Sequence, residues 1–180
     1  MRGWLGWAGK AADSDVTSMK KNIAIFVSYA RANRELATRF LKKFQEQTAP
    51  SKHYHYTFWR DNDILVGEKW HEEIQIALGQ SDMGLVLVSP AFLGSQYIQD
   101  HELPQFMKGG EKPVIPVLLQ PVDLERHDLK GLQQTQIFRL ERPRFASPKA
   151  YGECSGSHRD QFAQELFRQV EARLDSVLKK

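Results

Sequence analysis

The chain has a single cysteine, Cys154, among 180 residues. No intrachain disulfide can form, and no cysteine-based metal site. That usage fits a reducing cytoplasm, which is the expected compartment. Long apolar runs are also missing: nothing approaches the roughly 20 residues that span a bilayer. Met1–Ala8 lacks an apolar stretch long enough for a signal peptide. Neither charge sign dominates, with 25 basic against 22 acidic side chains and a net charge of +3. With no Lys/Arg run, this excludes the basic footprint of a nucleic-acid binder.

Several catalytic signatures are absent as well. There is no phosphate-binding Gly-x4-Gly-Lys-Ser/Thr loop and no Gly-x-Gly-x-x-Gly after the first strand, which ends in Ser28-Tyr29-Ala30-Arg31. There is no Gly-x-Ser-x-Gly elbow; Gly152–Ser157 comes nearest but sits on no strand-to-helix turn. A phospho-acceptor Asp would close the third strand, where Ser89 stands instead. His53 and His55 would share a strand face without a third ligand, and His71-Glu72-Glu73 has no second His one turn on. No metal is expected.

What remains is an ordinary globular composition, 41% hydrophobic and 26% charged. Residues 1–20 read as a flexible tail rich in Gly, Ala, Ser and Asp, with Trp4 and Trp7 as its odd members; residues 21–180 read as one domain. Ile23–Val27 is a short apolar run, as expected of a strand buried on both faces. Asn33 is placed to cap a helix carrying Leu36, Phe40 and Phe44, which ends near Pro50. Tyr54–Trp59 is strand-like, Arg60–Lys69 a polar loop, and Trp70, Ile74 and Leu78 a second helical stripe. Met83–Val88 is the central strand, with Pro90 at a following first turn. Pro113–Leu119 is a fourth strand and Ile137–Leu140 a fifth, followed by a polar connection. Phe162, Leu166, Val170, Leu174 and Val177 mark a last amphipathic helix. Such alternation predicts an α/β fold, a doubly wound parallel sheet of five strands with helices on both faces.

Glu102 lies beyond the central strand, toward the carboxyl edge where such sheets bind ligands. Pro104 predicts a helix that breaks or restarts at residues 101–104, with Leu103 pushed out of helical geometry. A carboxylate at such a helix start is favoured in its ionised form.

Three segments then resemble one family. Phe26-Val-Ser-Tyr29 with Ala30 and Arg31 resembles the first-strand motif of TIR domains. Phe58-Trp-Arg-Asp61, Ile64 and Gly67-Glu-Lys-Trp70 are similar to their second strand and BB loop. Leu87-Val-Ser-Pro90, Ser95, Tyr97 and Glu102-Leu-Pro104 are similar to the third strand and following helix of bacterial members. The resemblance spans about residues 22–140 and implies a flavodoxin-like sheet of order 2-1-3-4-5. It also departs from the family: many TIR enzymes have Trp four residues before the catalytic Glu, whereas Tyr97 stands five before Glu102.

The resemblance implies an NAD+ glycohydrolase that cleaves the nicotinamide–ribose bond, releasing nicotinamide with ADP-ribose or a cyclic isomer. NAD+ is the substrate, no cofactor is needed, and bacterial immune signalling is the implied setting. Glu102 is the implied catalytic carboxylate, with Asp100 as its rival. Ser28, Tyr29, Ala30, Arg31, Asp61, Gly67, Trp70, Ser95 and Tyr97 are the implied ligand contacts. Trp70 is either a stacking platform or a member of the Trp70-Ile74-Leu78 core stripe. Arg31 either meets the pyrophosphate or is solvated; Ser95 either caps a turn or touches ribose; Asp61 either fixes its loop or contacts ligand. The implied partners are other TIR domains, through the BB loop at Asp61–Lys69. The alternative is a non-catalytic adaptor or effector acting through TIR–TIR contact alone.

Overall fold

The computed structural model describes residues 20–60, 69–107 and 112–178, without the side chain of Trp70. The tail with Trp4 and Trp7, together with Asp61 and Gly67, lies outside these residues.

Side chains alternate between the two faces of a strand, and β1 (Lys21–Ser28) uses that period to feed two cores. Ile23, Ile25 and Val27 enter one apolar layer with Phe40 and Phe44 of α1 (Arg34–Thr48) and Phe162, Leu166 and Val170 of α5 (Ser157–Leu178). Phe26 enters the opposite layer, beside Ile74 and Leu78 of α2 (Trp70–Gln80) and Phe106. Ser28, two residues on, shares the face of Phe26. Each fully buried aliphatic or aromatic side chain stabilises the fold by roughly 1.5–3 kcal/mol. These two layers are therefore the main source of stability.

Among the described residues four parallel strands form the sheet, in the order β2-β1-β3-β4. β2 is Tyr54–Trp59, β3 is Met83–Val88 and β4 is Val114–Leu118. Every residue of β3 is buried, as its unbroken apolar run predicts. Ser89 caps the short α3 (Pro90–Leu93) by accepting from the Phe92 N–H at 3.0 Å, with Pro90 in its first turn.

The expected fifth strand is not formed. Ile137–Leu140 contributes one parallel bridge, Val117 to Phe138, on the far side of β4. The Phe138 N–H donates to Pro116 O at 2.7 Å, and the Leu118 N–H donates to Phe138 O at 2.9 Å. The next rung toward the amino end needs an N–H at Pro116, which proline lacks. The next rung toward the carboxyl end needs the Leu140 N–H, which donates instead to Lys149 O at 2.9 Å. The fifth position is thus filled in the expected order but cannot propagate as a strand.

Two further expectations are corrected. Asn33 occupies the N-cap of α1 but makes no capping bond with its side chain. Its Oδ1 accepts from the Ser89 hydroxyl at 2.6 Å and its Nδ2 donates to Gln120 at 2.9 Å, tying three segments together. The buried α5 stripe ends at Leu174, and Val177 is 36% exposed.

Candidate functional site

β1 and β2 run to one side of the β1–β3 junction and β4 to the other, so the order of winding reverses there. Beyond the carboxyl ends of strands at such a reversal, open α/β sheets leave a crevice. A cleft of about 300 Å³ occupies this place. It is lined by Ser28, Tyr29, Ala30, Arg31, Ser95, Tyr97 and Glu102. Seven of the ten sequence-predicted residues therefore meet at one site. Asp61 and Gly67 lie outside the described residues. Trp70 opens α2, and its side chain is likewise outside them.

Glu102 is 8% exposed. The Ser28 hydroxyl donates a hydrogen bond to its Oε2. The strand period explains the pairing, since it turns Ser28 toward the layer that contains the Glu102 helix. Asp100 is exposed, accepts from Gln96 at 2.9 and 3.0 Å, and does not line the cleft.

The backbone around Glu102 corrects the expected break. Ile98–Glu102 forms a wide π-turn that runs without interruption into α4 (Leu103–Met107). Leu103 is helical, at φ −56° and ψ −42°, and its N–H donates to Ile98 O. Glu102 thus sits within a helical segment, and the helix-start argument for its charge does not apply. Pro104 has no N–H, and its ring would strike the carbonyl one α-turn earlier; the widened turn opens that space. The same turn absorbs one extra residue. Tyr97 and Glu102, five apart, therefore face the same cleft, as residues four apart do on an α-helix.

Tyr97 is half-buried, and its phenol is held above its ordinary titration range by burial first and by the Glu102 charge second. It is a neutral O–H group beside a carboxylate. Tyr29 is 9% exposed and packs into the α1/α5 layer, so only part of it lines the cleft. Arg31 is exposed at the lip, on a 3-10 turn. Ser95 Oγ accepts from the Ile98 N–H at 3.4 Å, the turn-capping alternative.

Sequence reasoning missed Ala91 and Ile98, which supply apolar lining. It weighed His71 only as a metal ligand and missed His101; both surround the outer edge of Tyr97. The four-residue spacing of Tyr97 and His101 was the available signal. A second groove, about 470 Å³, runs beside residues 133–142. Its Glu165 is paired with Arg142 and Arg168, at 3.3 Å each. No predicted site residue lines it. Among the described residues no group of three His, Cys, Asp or Glu side chains is placed to hold a metal ion. No helix of the described residues is long and apolar enough to cross a membrane.

The parallel sheet wound with helices on both faces and a cleft at its switch point define an open α/β domain with a ligand-sized crevice at its carboxyl edge. The TIR domain model matches residues 25–148, and the chain belongs to the TIR domain family. A relative, the uncharacterized protein y4lF of Sinorhizobium fredii, is 30% identical over 103 residues, 56% of this chain. The matched stretch is 31% of that protein's length, so the chain spans about a third of it. Among solved structures, the RPS4 and RRS1 TIR domain heterodimer shares the fold at 12% identity and TM-score 0.52. The match covers 84% of this chain and 97% of that one.

Proposed function

We propose that this TIR domain is an NAD+ glycohydrolase. The observation that supports it is the pairing of a buried Glu102, held by Ser28, with Tyr97 across one cleft at the switch point. Cleavage breaks the bond between ribose C1′ and the nicotinamide nitrogen. The bonding pair leaves with the nitrogen, so nicotinamide departs neutral and positive charge develops on the ribose. A fixed carboxylate beside that ring stabilises this charge and can accept from the ribose hydroxyls. Water, or a nucleophile within the substrate, then attacks C1′ and loses a proton. The first gives ADP-ribose and the second a cyclic isomer.

The cleft volume supports part of the molecule entering. About 300 Å³ is at the small end of ligand pockets. It suits the nicotinamide–ribose half, with Arg31 at the lip toward the pyrophosphate. Tyr97 would then offer its ring to the cationic nicotinamide of the bound substrate.

The test is nicotinamide release from NAD+, followed by chromatography. Wild-type turnover and a fall of about 10²-fold or more in Glu102→Gln are expected. No release at high protein concentration, or undiminished release from Glu102→Gln, would refute the proposal.

A second reading is a non-catalytic adaptor acting through TIR–TIR contact; a solved structure that shares this fold pairs two TIR domains, which is compatible with either reading. A Gly67 or Trp70 substitution that abolishes partner binding, in a protein that never consumes NAD+, would establish it. The two readings combine if a neighbouring copy completes the site. Specific activity would then rise steeply with concentration or crowding, and a flat response would count against that arrangement.

A further inference from the structure

We infer that His71 is a positioning residue, which fixes the ring of Tyr97 as the wall against which the nicotinamide of NAD+ lies. This rests on the proposed NAD+ cleavage and adds a residue that neither the fold nor the motifs assign.

His71 stands in the first turn of α2, on a different segment from the Glu102 helix. Its Nδ1 lies 3.1 Å from the Tyr97 hydroxyl oxygen. The two rings meet edge-on, with centroids 6.0 Å apart and planes at 89°. His101, one turn after Tyr97, closes the group: its ring centroid is 4.8 Å from both His71 and Tyr97. The Tyr97 ring is thus held at its outer end by one hydrogen bond and flanked by a second imidazole, while its inner part lines the cleft with Glu102.

The contact holds with either tautomer of the imidazole. Burial and the Glu102 charge keep the Tyr97 phenol protonated, and its hydroxyl can donate to the His71 Nδ1 lone pair or accept from an Nδ1–H. Without that contact the ring loses a constraint at its outer end and can turn away from the cleft. A ring that stacks on nicotinamide acts in the bound substrate, where the nicotinamide is cationic, more than after it leaves neutral. Losing its orientation should therefore weaken substrate binding rather than the chemical step.

The experiment measures KM for NAD+ and kcat for nicotinamide release in wild type, His71→Ala, His71→Asn, Tyr97→Phe and the double variant His71→Ala/Tyr97→Phe. Ring-nitrogen NMR of His71 is recorded in wild type and Tyr97→Phe. His71→Ala is expected to raise KM roughly 3- to 10-fold with kcat within about twofold, the range one net hydrogen bond supplies. His71→Asn, which keeps a hydrogen-bonding group where Nδ1 stands, should recover most of that loss. The double variant should be no worse than Tyr97→Phe, because both remove the same contact. The His71 Nδ1 resonance should move in Tyr97→Phe. Additive losses, an unmoved resonance, or His71→Ala with wild-type KM would each overturn the inference while leaving an active enzyme. A wild type that releases no nicotinamide would instead defeat the proposed function, and this inference with it. Should His71→Ala fail to fold, the asparagine variant and the resonance comparison still decide.

Discussion

The Ser28 hydroxyl donates to Glu102 Oε2 across a sequence separation of 74 residues, joining the end of β1 to the helix beyond β3. A hydrogen bond to a charged group contributes more than one between neutral groups. Ser28→Ala removes the donor without adding bulk. In the proposed reaction kcat is expected to fall about tenfold, with a smaller change in KM, because the carboxylate loses its orientation toward the ribose. Steady-state kinetics of nicotinamide release check this; an unchanged kcat would show that Ser28 does not position Glu102.

A second expectation concerns Gly84 in β3. A Cβ at this position would stand 2.5 Å from Cε1 of Phe106, whose ring is 4% exposed and packs against Phe26. The ring has nowhere open to move, so Gly84→Ala must displace α4. Destabilisation by about 1–3 kcal/mol is expected from this overpacking. The denaturation midpoint measures it, and a midpoint equal to wild type would mean that the ring yields freely.

The π-turn at Ile98–Glu102 predicts an unusual tolerance. Deleting Asp100, which is exposed, leaves Tyr97 and Glu102 at α-helical spacing and still on one face. The deletion alone closes the turn onto the Pro104 ring, at an expected cost of roughly 3 kcal/mol. Deletion combined with Pro104→Ala removes that clash. Nicotinamide release within about threefold of wild type is expected for the combined variant, since the facing pair is retained. Complete loss of release in a well-folded combined variant would contradict this.

Alkaline pH probes the opposite end of the fold. The Tyr54 hydroxyl donates to Asp175 at 2.6 Å, fastening edge strand β2 to α5. Burial first, and then the hydrogen bond to Asp175 and its charge, push the phenol from its ordinary value of 10.0 up to about 12. Between those values the unfolded chain has released a proton that the folded chain retains. Ionisation therefore favours unfolding: this contribution is intact below pH 10 and lost as pH rises through about 12. Tyr54→Phe is expected to flatten the fall in stability over this window, read from denaturation midpoints at successive pH values. A wild-type slope as shallow as the variant's would remove Tyr54 as the cause.

The grouping of Ser28, Tyr97 and Glu102 was implied by the family resemblance, whereas the strands β1 and β3 were legible because apolar runs are local properties. The wide turn was not, since Pro104 by itself reads as a break; only the surrounding packing shows that the helix widens and continues. Nor was the missing fifth strand. Ile137–Leu140 has strand composition, and its fate is set by backbone partners elsewhere: the absent N–H of Pro116 and the claim of Lys149 on Leu140. Asn33 looked like a cap because its type and place suit one. Its buried neighbours Ser89 and Gln120, distant in sequence, compete successfully for its side chain. His71 was weighed only as a metal ligand for the same reason, since only the fold brings it to Tyr97.

The truncated outer side of β4 bears on how copies of this domain can come together. Exposed sheet edges are templates on which another chain can add a strand, and proline among their donors blunts them. Here one rung to Phe138 covers the middle of the edge, and Pro116 offers nothing on that side to an incoming carbonyl. Fibre-like growth by strand addition is thus opposed at this border of the sheet, so ordered assembly there has to use side chains on helices and loops, where recognition can be selective.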